Sequence, residues 1–399
     1  MSTSKIILEL PQETIVEILS WLPVKSIARF KCVCKSWLYL FATDLQFDKL
    51  HHEHATKKNI NVTRFITSKA NRLLFCSVDV HDTRLRWDFK YHPLFSNNKD
   101  ESVEILGSSN GLVCASAQRD TIICFWNPAM NEYKTIPMPE NESPTHLDSW
   151  LRYGFGYDLK RNDYKLVRVQ SYGNTVNVSV KVYSLILNAW KSISASDNMP
   201  YRLSAAGPAT SYLNGAVHWL TLDLQVIVSF DLAEEIFHEI PGPQELADRS
   251  SSVDDRYTKH LDVVEGLLCI VSILVGGIYG DVWVMKDYGV KESWSKLFRI
   301  PQYAIKFSYF KVLKSMHNGD KFLLDVQLRE GDDTTVWALY DVEDRWAGTI
   351  NKDNAFRWSK ATTVYEEHLV SLLSAPKQID DAPAPEEENE RCKKRARLS

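Results

Sequence analysis

The chain has 399 residues, 44% hydrophobic and 25% charged, which suits one small and one large folded domain and excludes an intrinsically disordered protein. A formal net charge of −4 gives no global attraction to nucleic acid, and no apolar run approaches the ~20 residues of a membrane helix. Residues 1–13, MSTSKIILELPQE, lack the long apolar core of a secretory signal. Seven cysteines without a Cys-x-x-Cys pair read as reduced thiols of an intracellular protein, with no zinc site, metal or cofactor expected.

In chain order the first elements lie between Leu10 and Trp37, LPQETIVEILSWLPVKSIARFKCVCKSW, where two Leu-Pro pairs frame a helical stripe of Ile15, Ile18, Leu19 and Leu22. Pro11 suits a first helical turn and Pro23 stops the helix. Ser26 is placed to cap a second helix, whose apolar positions Ile27, Phe30, Val33 or Cys34, and Trp37 alternate with Lys25, Arg29, Lys31 and Lys35. Two or three short helices bury little alone, so this segment is expected to dock onto another surface. The run Leu10-Pro11, Ile15, Ile18-Leu19, Leu22-Pro23, Val24, Ile27, Arg29-Phe30, Val33-Cys34-Lys35 and Trp37 resembles the F-box, the helical motif that binds the Skp adaptor of cullin-based ubiquitin ligases. The resemblance implies that Leu10, Pro11, Ile15, Ile18, Leu19, Leu22, Pro23, Val24, Ile27, Arg29, Phe30, Val33, Cys34 and Trp37 bind that adaptor, and through it the cullin and RING subunits.

Residues 1–50 are therefore assigned to the helical module and 51–59 to a polar linker. His51-His52-Glu53-His54 could bind a metal ion, imidazole being a good ligand, but its setting reads as solvated linker. Beyond it come short alternating apolar runs bounded by Gly, Asn, Asp and Pro, the pattern of strands and turns. Asn110-Gly111, Asn162-Asp163, Asn214-Gly215, Glu265-Gly266 and Asn318-Gly319 each lead into such a run, with second members 52, 52, 51 and 53 residues apart. LVCASA, IICFWNP and EYKTIP recur in kind as AVHWL, VIVSFDL and IFHEIP. A period near 50 with several strands per unit predicts an all-β, propeller-like array of about six kelch-like blades over 60–374, against the rival of a large sandwich with evenly spaced turns. Ala361 to Ser374 is expected to close the array as a strand, or to form a short helix.

Asn110-Gly111-Leu112-Val113, Trp126-Asn127-Pro128, Gly154-Phe155-Gly156-Tyr157-Asp158, Val217-His218-Trp219, Trp283-Val284-Met285-Lys286-Asp287-Tyr288-Gly289-Val290 and Leu369-Val370-Ser371-Leu372 are similar to the F-box-associated domain of plant F-box proteins, a family that includes the S-locus F-box proteins. The Gly-Gly kelch signature is missing.

Enzyme-like motifs fail on context. Gly107-Ser108-Ser109-Asn110-Gly111 fits a nucleophile elbow, yet a strand rather than a helix follows it. Gly154-Phe155-Gly156 lacks the third glycine of a dinucleotide site. Trp126, Trp219, Trp283, Trp294, Trp337 and Trp346 hold fixed places in the repeat and are expected to pack blades, with one or two exposed at most. Residues 375–399 are Pro- and acid-rich, then basic, and are expected to be disordered, with Lys393, Lys394, Arg395 and Arg397 resembling a nuclear import signal. The resulting expectation is a non-catalytic receptor of nucleus and cytoplasm that presents a protein substrate to a Skp-cullin-F-box ubiquitin ligase. The alternatives are a pollen protein recognising a ribonuclease, or a propeller lectin or enzyme with an incidental helical hairpin.

Overall fold

In the computed structural model each Leu-Pro pair opens a helix: α1 (Gln12–Ser20) and α2 (Val24–Phe30), followed by α3 (Lys35–Thr43) and α4 (Leu45–Lys58). The structure describes residues 10–58, 62–69, 72–79, 85–88, 103–117, 122–139, 149–172, 178–193, 203–204, 211–221, 226–246, 257–274, 278–316, 319–329, 335–349 and 362–372. Pro11 and Pro23 occupy the N-cap positions with extended ψ near 146°, their carbonyls accepting the first helical hydrogen bonds. Ser26 is thus inside α2 and is not its cap. The expected second stripe is also split: turns over 31–33 end α2, and Cys34, extended at φ −155°, starts α3. Asp44 caps α4 by accepting the N–H groups of Gln46 and Phe47, each at 2.9 Å.

Residues 51–58, read from their polarity as linker, are the second half of α4. His51 and His54 are buried there, because Phe47, His51 and His54 fall at helical spacing on one face and imidazoles fill places where aliphatic residues would have announced a helix.

Beyond the helices the described residues form four-stranded antiparallel sheets. The first contains β1 (Val62–Lys69), β2 (Arg72–Asp79) and β3 (Leu85–Asp88). The second is β4 (Glu104–Ser109), β5 (Leu112–Ala117), β6 (Ile122–Asn127) and β7 (Glu132–Ile136); the third is β8 (Ser149–Asp158), β9 (Asp163–Tyr172), β10 (Val178–Ser184) and β11 (Ala189–Ile193). The fourth is β12 (Ser211–Leu213), β13 (Ala216–Leu220), β14 (Val226–Asp231) and β15 (Phe237–Pro241); the fifth is β16 (Tyr257–Val264), β17 (Leu267–Leu274), β18 (Tyr279–Met285) and β19 (Trp294–Pro301). Then come β20 (Phe307–Met316), β21 (Lys321–Leu328), β22 (Thr335–Asp341) and β23 (Trp346–Thr349), and last β24 (Thr362–Tyr365). Among the described residues five sheets use four consecutive strands, whereas β24 crosses back to β1, so the sequence's equivalent units become five simple sheets and one composite. Among the described residues of the closing run, 362–365 form a strand and 366–372 are irregular, with no helix.

The innermost strands touch in a closed cycle, β24 to β4, β8, β12, β16, β20 and back to β24. Apolar clusters sit between neighbouring sheets: Val167 and Val180 pack on Val217 and Phe230, and Val271 and Val282 on Phe310 and Leu324. Each sheet therefore buries its faces on the next, the condition that makes a repeat array stable. The repeat also appears as a hydrogen bond: Trp190 donates to Pro137 O at 2.6 Å and Trp294 to Pro241 O at 2.9 Å, each across 53 residues. The turns at 110–111, 214–215 and 265–266 have positive φ at both positions, the two-residue hairpin that Asn-Gly favours. Asn162 (φ 58°) ends a longer turn, and Asp163 already belongs to β9. Asn318 lies outside the described residues, while Gly319 has φ 98°.

Candidate adaptor-docking site

The helices divide their apolar side chains between two surroundings. Leu19, Val24 and Ile27 are buried with Phe41 and Phe47, and Ile15, Leu22, Phe30 and Trp37 pack half-buried against them. Ala129 and Leu369 of the β domain belong to this same cluster, so the helices share a core with the sheets. Leu10, Ile18 (51% exposed) and Val33 (62% exposed) instead face solvent, with Pro11, Pro23 and Arg29 also exposed and Cys34 intermediate. The sequence-assigned set therefore divides into an inner group that shapes the helices and an outer group able to touch a partner. Trp21, Leu38 and Tyr39 were missed by sequence pattern and are exposed too, Tyr39 at 62%. Leu38 and Tyr39 lie past Trp37, where the motif ends, so only the position of α3 reveals them.

One end of the inner core is polar. His54 Nδ1 lies 2.8 Å from Ser20 Oγ, and its ring stacks on Trp21 at 3.9 Å. Trp21 Nε1 donates to Glu17 at 3.0 Å. His51 Nε2 donates to the Leu22 carbonyl at 2.9 Å, and burial lowers its pKa, which keeps the ring neutral near pH 7. These bonds bind α4 to the α1–α2 corner. Among the described residues no three His, Cys, Asp or Glu side chains converge as metal ligands, and the histidines of α4 serve as packing and hydrogen-bonding groups.

The enzyme-like motifs are structural. Gly107 to Gly111 is the β4–β5 hairpin. A Cβ on Gly154 would lie 2.6 Å from Trp219, and one on Gly156 2.3 Å from Tyr212, so this pair lets adjacent sheets approach. Of the six repeat tryptophans, Trp346 alone is exposed, at 63%. Lys393 to Arg397 lie outside the described residues.

A helical module with exposed apolar side chains is thus seated on a closed ring of β-sheets. The model of the F-box associated beta propeller domain matches residues 64–372, and the F-box domain model matches residues 7–46. The chain belongs to this family of F-box proteins with an associated β-propeller. It is 30% identical to the Arabidopsis thaliana F-box/kelch-repeat protein At3g23880 over 73% of this chain and 79% of that one. It is 27% identical to the Arabidopsis thaliana F-box protein CPR1 over 86% and 84% of the two chains. A solved nidogen/laminin complex shares 8% identity at a TM-score of 0.42, covering 77% of this chain and 99% of that chain. An F-box joined to a β-propeller is the arrangement of a substrate-recognition adaptor in a Skp-cullin-F-box ubiquitin ligase. Among the described residues no helix is long and apolar enough to cross a membrane.

Proposed function

We propose that this protein is the non-catalytic receptor of such a ligase, hooking a Skp-family adaptor, and through it cullin and RING subunits, while its propeller holds a protein target. The observation that carries the reading is the exposure of Leu10, Pro11, Ile18, Pro23, Val33, Leu38 and Tyr39 on the helices and their connections, in a module whose inner apolar side chains are already buried. Such exposure on a small module favours a protein partner. Tethering would then raise the effective concentration of target lysines near the charged conjugating enzyme, with the chemistry supplied by the other subunits.

The test avoids the inner core. Ile18→Asp with Leu38→Asp places two charges among these exposed side chains, where desolvating them against an apolar partner costs far more than leaving them in water. Adaptor capture should be lost while thermal stability is retained; capture that survives the pair overturns the docking surface. The basic cluster Lys393, Lys394, Arg395 and Arg397 is proposed as a nuclear address, supported by its charge pattern alone.

A further inference from the structure

Past β24 the chain does not leave the ring. Asn127 at the end of β6 donates through Nδ2 to the carbonyls of His368 (3.0 Å) and Val370 (2.7 Å), and its Oδ1 accepts the N–H groups of Ala129 and Met130. Glu132 Oε2 accepts both the Ser371 hydroxyl and the Leu372 N–H, each at 2.8 Å. The backbone of 368–372 is thus held by one buried amide and one carboxylate of the second sheet.

Two side chains of the same segment, His368 and Leu369, turn to the helices, while Val370 and Leu372 pack on the propeller beside Leu112 and Tyr153. Leu369 is buried among Leu19, Val24, Ile27, Phe41 and Phe47, the core of the F-box. The His368 ring lies 4.6 Å from that of His52 on α4, and its Nδ1 is 3.5 Å from Asp48. A Cβ on Gly111 would come within 2.2 Å of His368 Cβ, so the β4–β5 turn is shaped to receive the segment. Residues 368–372 are therefore anchored on the propeller by their backbone and by Val370, Ser371 and Leu372, and reach the helices through His368 and Leu369, directly after the strand that closes the ring.

We infer that residues 366–372 are a strap that sets the orientation of the F-box on the propeller, with Asn127 as its positioning residue. Ring closure and F-box placement are thereby coupled, because the strand that pairs with β1 leads directly into the segment that carries Leu369 to the helices. The strap would fix where the ligase arm points relative to a bound target, a consequence that rests on the receptor reading, whereas the mechanical coupling does not.

The experiment compares wild type, Asn127→Asp and Leu369→Ala as full chains. Asn127→Asp keeps the oxygen that serves Ala129 and Met130 and removes the two donors to the strap. Leu369→Ala empties the shared core and also decides the matter should the first variant fail to fold. Amide hydrogen exchange in α1 and α4 should rise roughly tenfold or more in both variants, with the hairpins at 214–215 and 265–266 unchanged. The second readout is the set of the chain's own lysines modified in a reconstituted ligase with adaptor, cullin, RING protein and charged conjugating enzyme. Adaptor affinity should stay as in wild type while that set broadens, which a purely stabilising role would not produce. Exchange changes confined to 366–372, or an unaltered lysine pattern on helices that exchange as in wild type, overturn the strap. Failure of the ligase to assemble with any form, wild type included, would count against the receptor reading and leave the exchange result to decide the coupling.

Discussion

At the residue scale, two glycines in equivalent turns should behave differently. Gly215 has φ 79° and open space where a Cβ would go, so Gly215→Ala meets only left-handed backbone strain of ~1–2 kcal/mol. Gly111, at φ 81°, adds a collision with the Cβ and backbone of His368, so Gly111→Ala should cost more and release the strap. Denaturant midpoints of the two variants check the order, and equal losses would show that the strap does not press on the turn. His218 supplies a pH prediction. It is 1% exposed, with Nδ1–H donated to Ser211 O (3.0 Å) and Nε2 accepting the Tyr288 hydroxyl (2.6 Å), and burial lowers its pKa from 6.5 to about 4. Between these values the unfolded chain holds a proton that the folded chain refuses, so stability falls as pH drops below 6.5. His260, lowered to about 3 by burial and then by Lys311, adds to this slope; Asp325, raised to about 6 by burial, opposes it between 3.8 and 6. Asp163 and Asp262, raised by burial, oppose it as well, and His218→Gln should remove the share of the acid-side loss that His218 contributes. Denaturation midpoints at pH 7 and 5.5 measure it, and an unchanged difference would refute the neutral His218.

At the element scale, the third and fourth sheets show how blades are locked. Lys165 on β9, 3% exposed, lies 3.0 Å from both Asp158 and Glu235, and Lys191 also reaches Glu235. Burial would raise Asp158, but the Arg161 N–H and the Lys165 ammonium bring its pKa below the usual carboxylate value, so the pair loses strength only in strong acid as that carboxyl protonates. Lys165→Met leaves a buried carboxylate without its main cation, and the loss should approach the ~3–5 kcal/mol of a broken buried pair. Asp158 retains Arg161 at 3.2 Å, which sets the loss at or below that range. Urea unfolding is the measurement, and a neutral outcome would mean that apolar packing alone joins these blades. In α4 the same logic governs the helix end: its polar side chains are held by partners on α1 and by the strap, not by their own hydrophobicity.

At the scale of the molecule, closure and address are separable. Truncation before Thr362 removes the innermost strand of the composite sheet and the strap, and should lower the melting temperature sharply. Truncation after Ser374 removes only the charged tail and should leave the melting temperature unchanged. Similar losses from both cuts would deny β24 its closing role. Changing Lys393, Lys394, Arg395 and Arg397 to Ala should lower the nuclear fraction of a fluorescent fusion, and an unaltered distribution would reduce the cluster to a solubilising tail. Expression of 60–374 alone should give a ring that retains its blades but exposes Ala129, Met130 and Leu369, so it should bind an apolar dye more than the full chain does.

The repeat of Asn-Gly turns, the two Leu-Pro helix starts and the alternating strands were legible because each is a local preference of backbone or period, written in consecutive residues. The sequence by itself therefore determined the helical module, the β array and the roles of most repeat tryptophans. Helix α4 was not legible, since His51 and His54 gain their stability from Leu22, Ser20 and Trp21, partners far along the chain. Nor could pattern separate Ile18 and Val33 from Leu19 and Ile27, which share one motif but face opposite surroundings. Only the tertiary structure decided which of them remain free for a partner, and that a seven-residue segment beyond the last strand joins ring to F-box, because burial is a property of what else arrives at the same place in space.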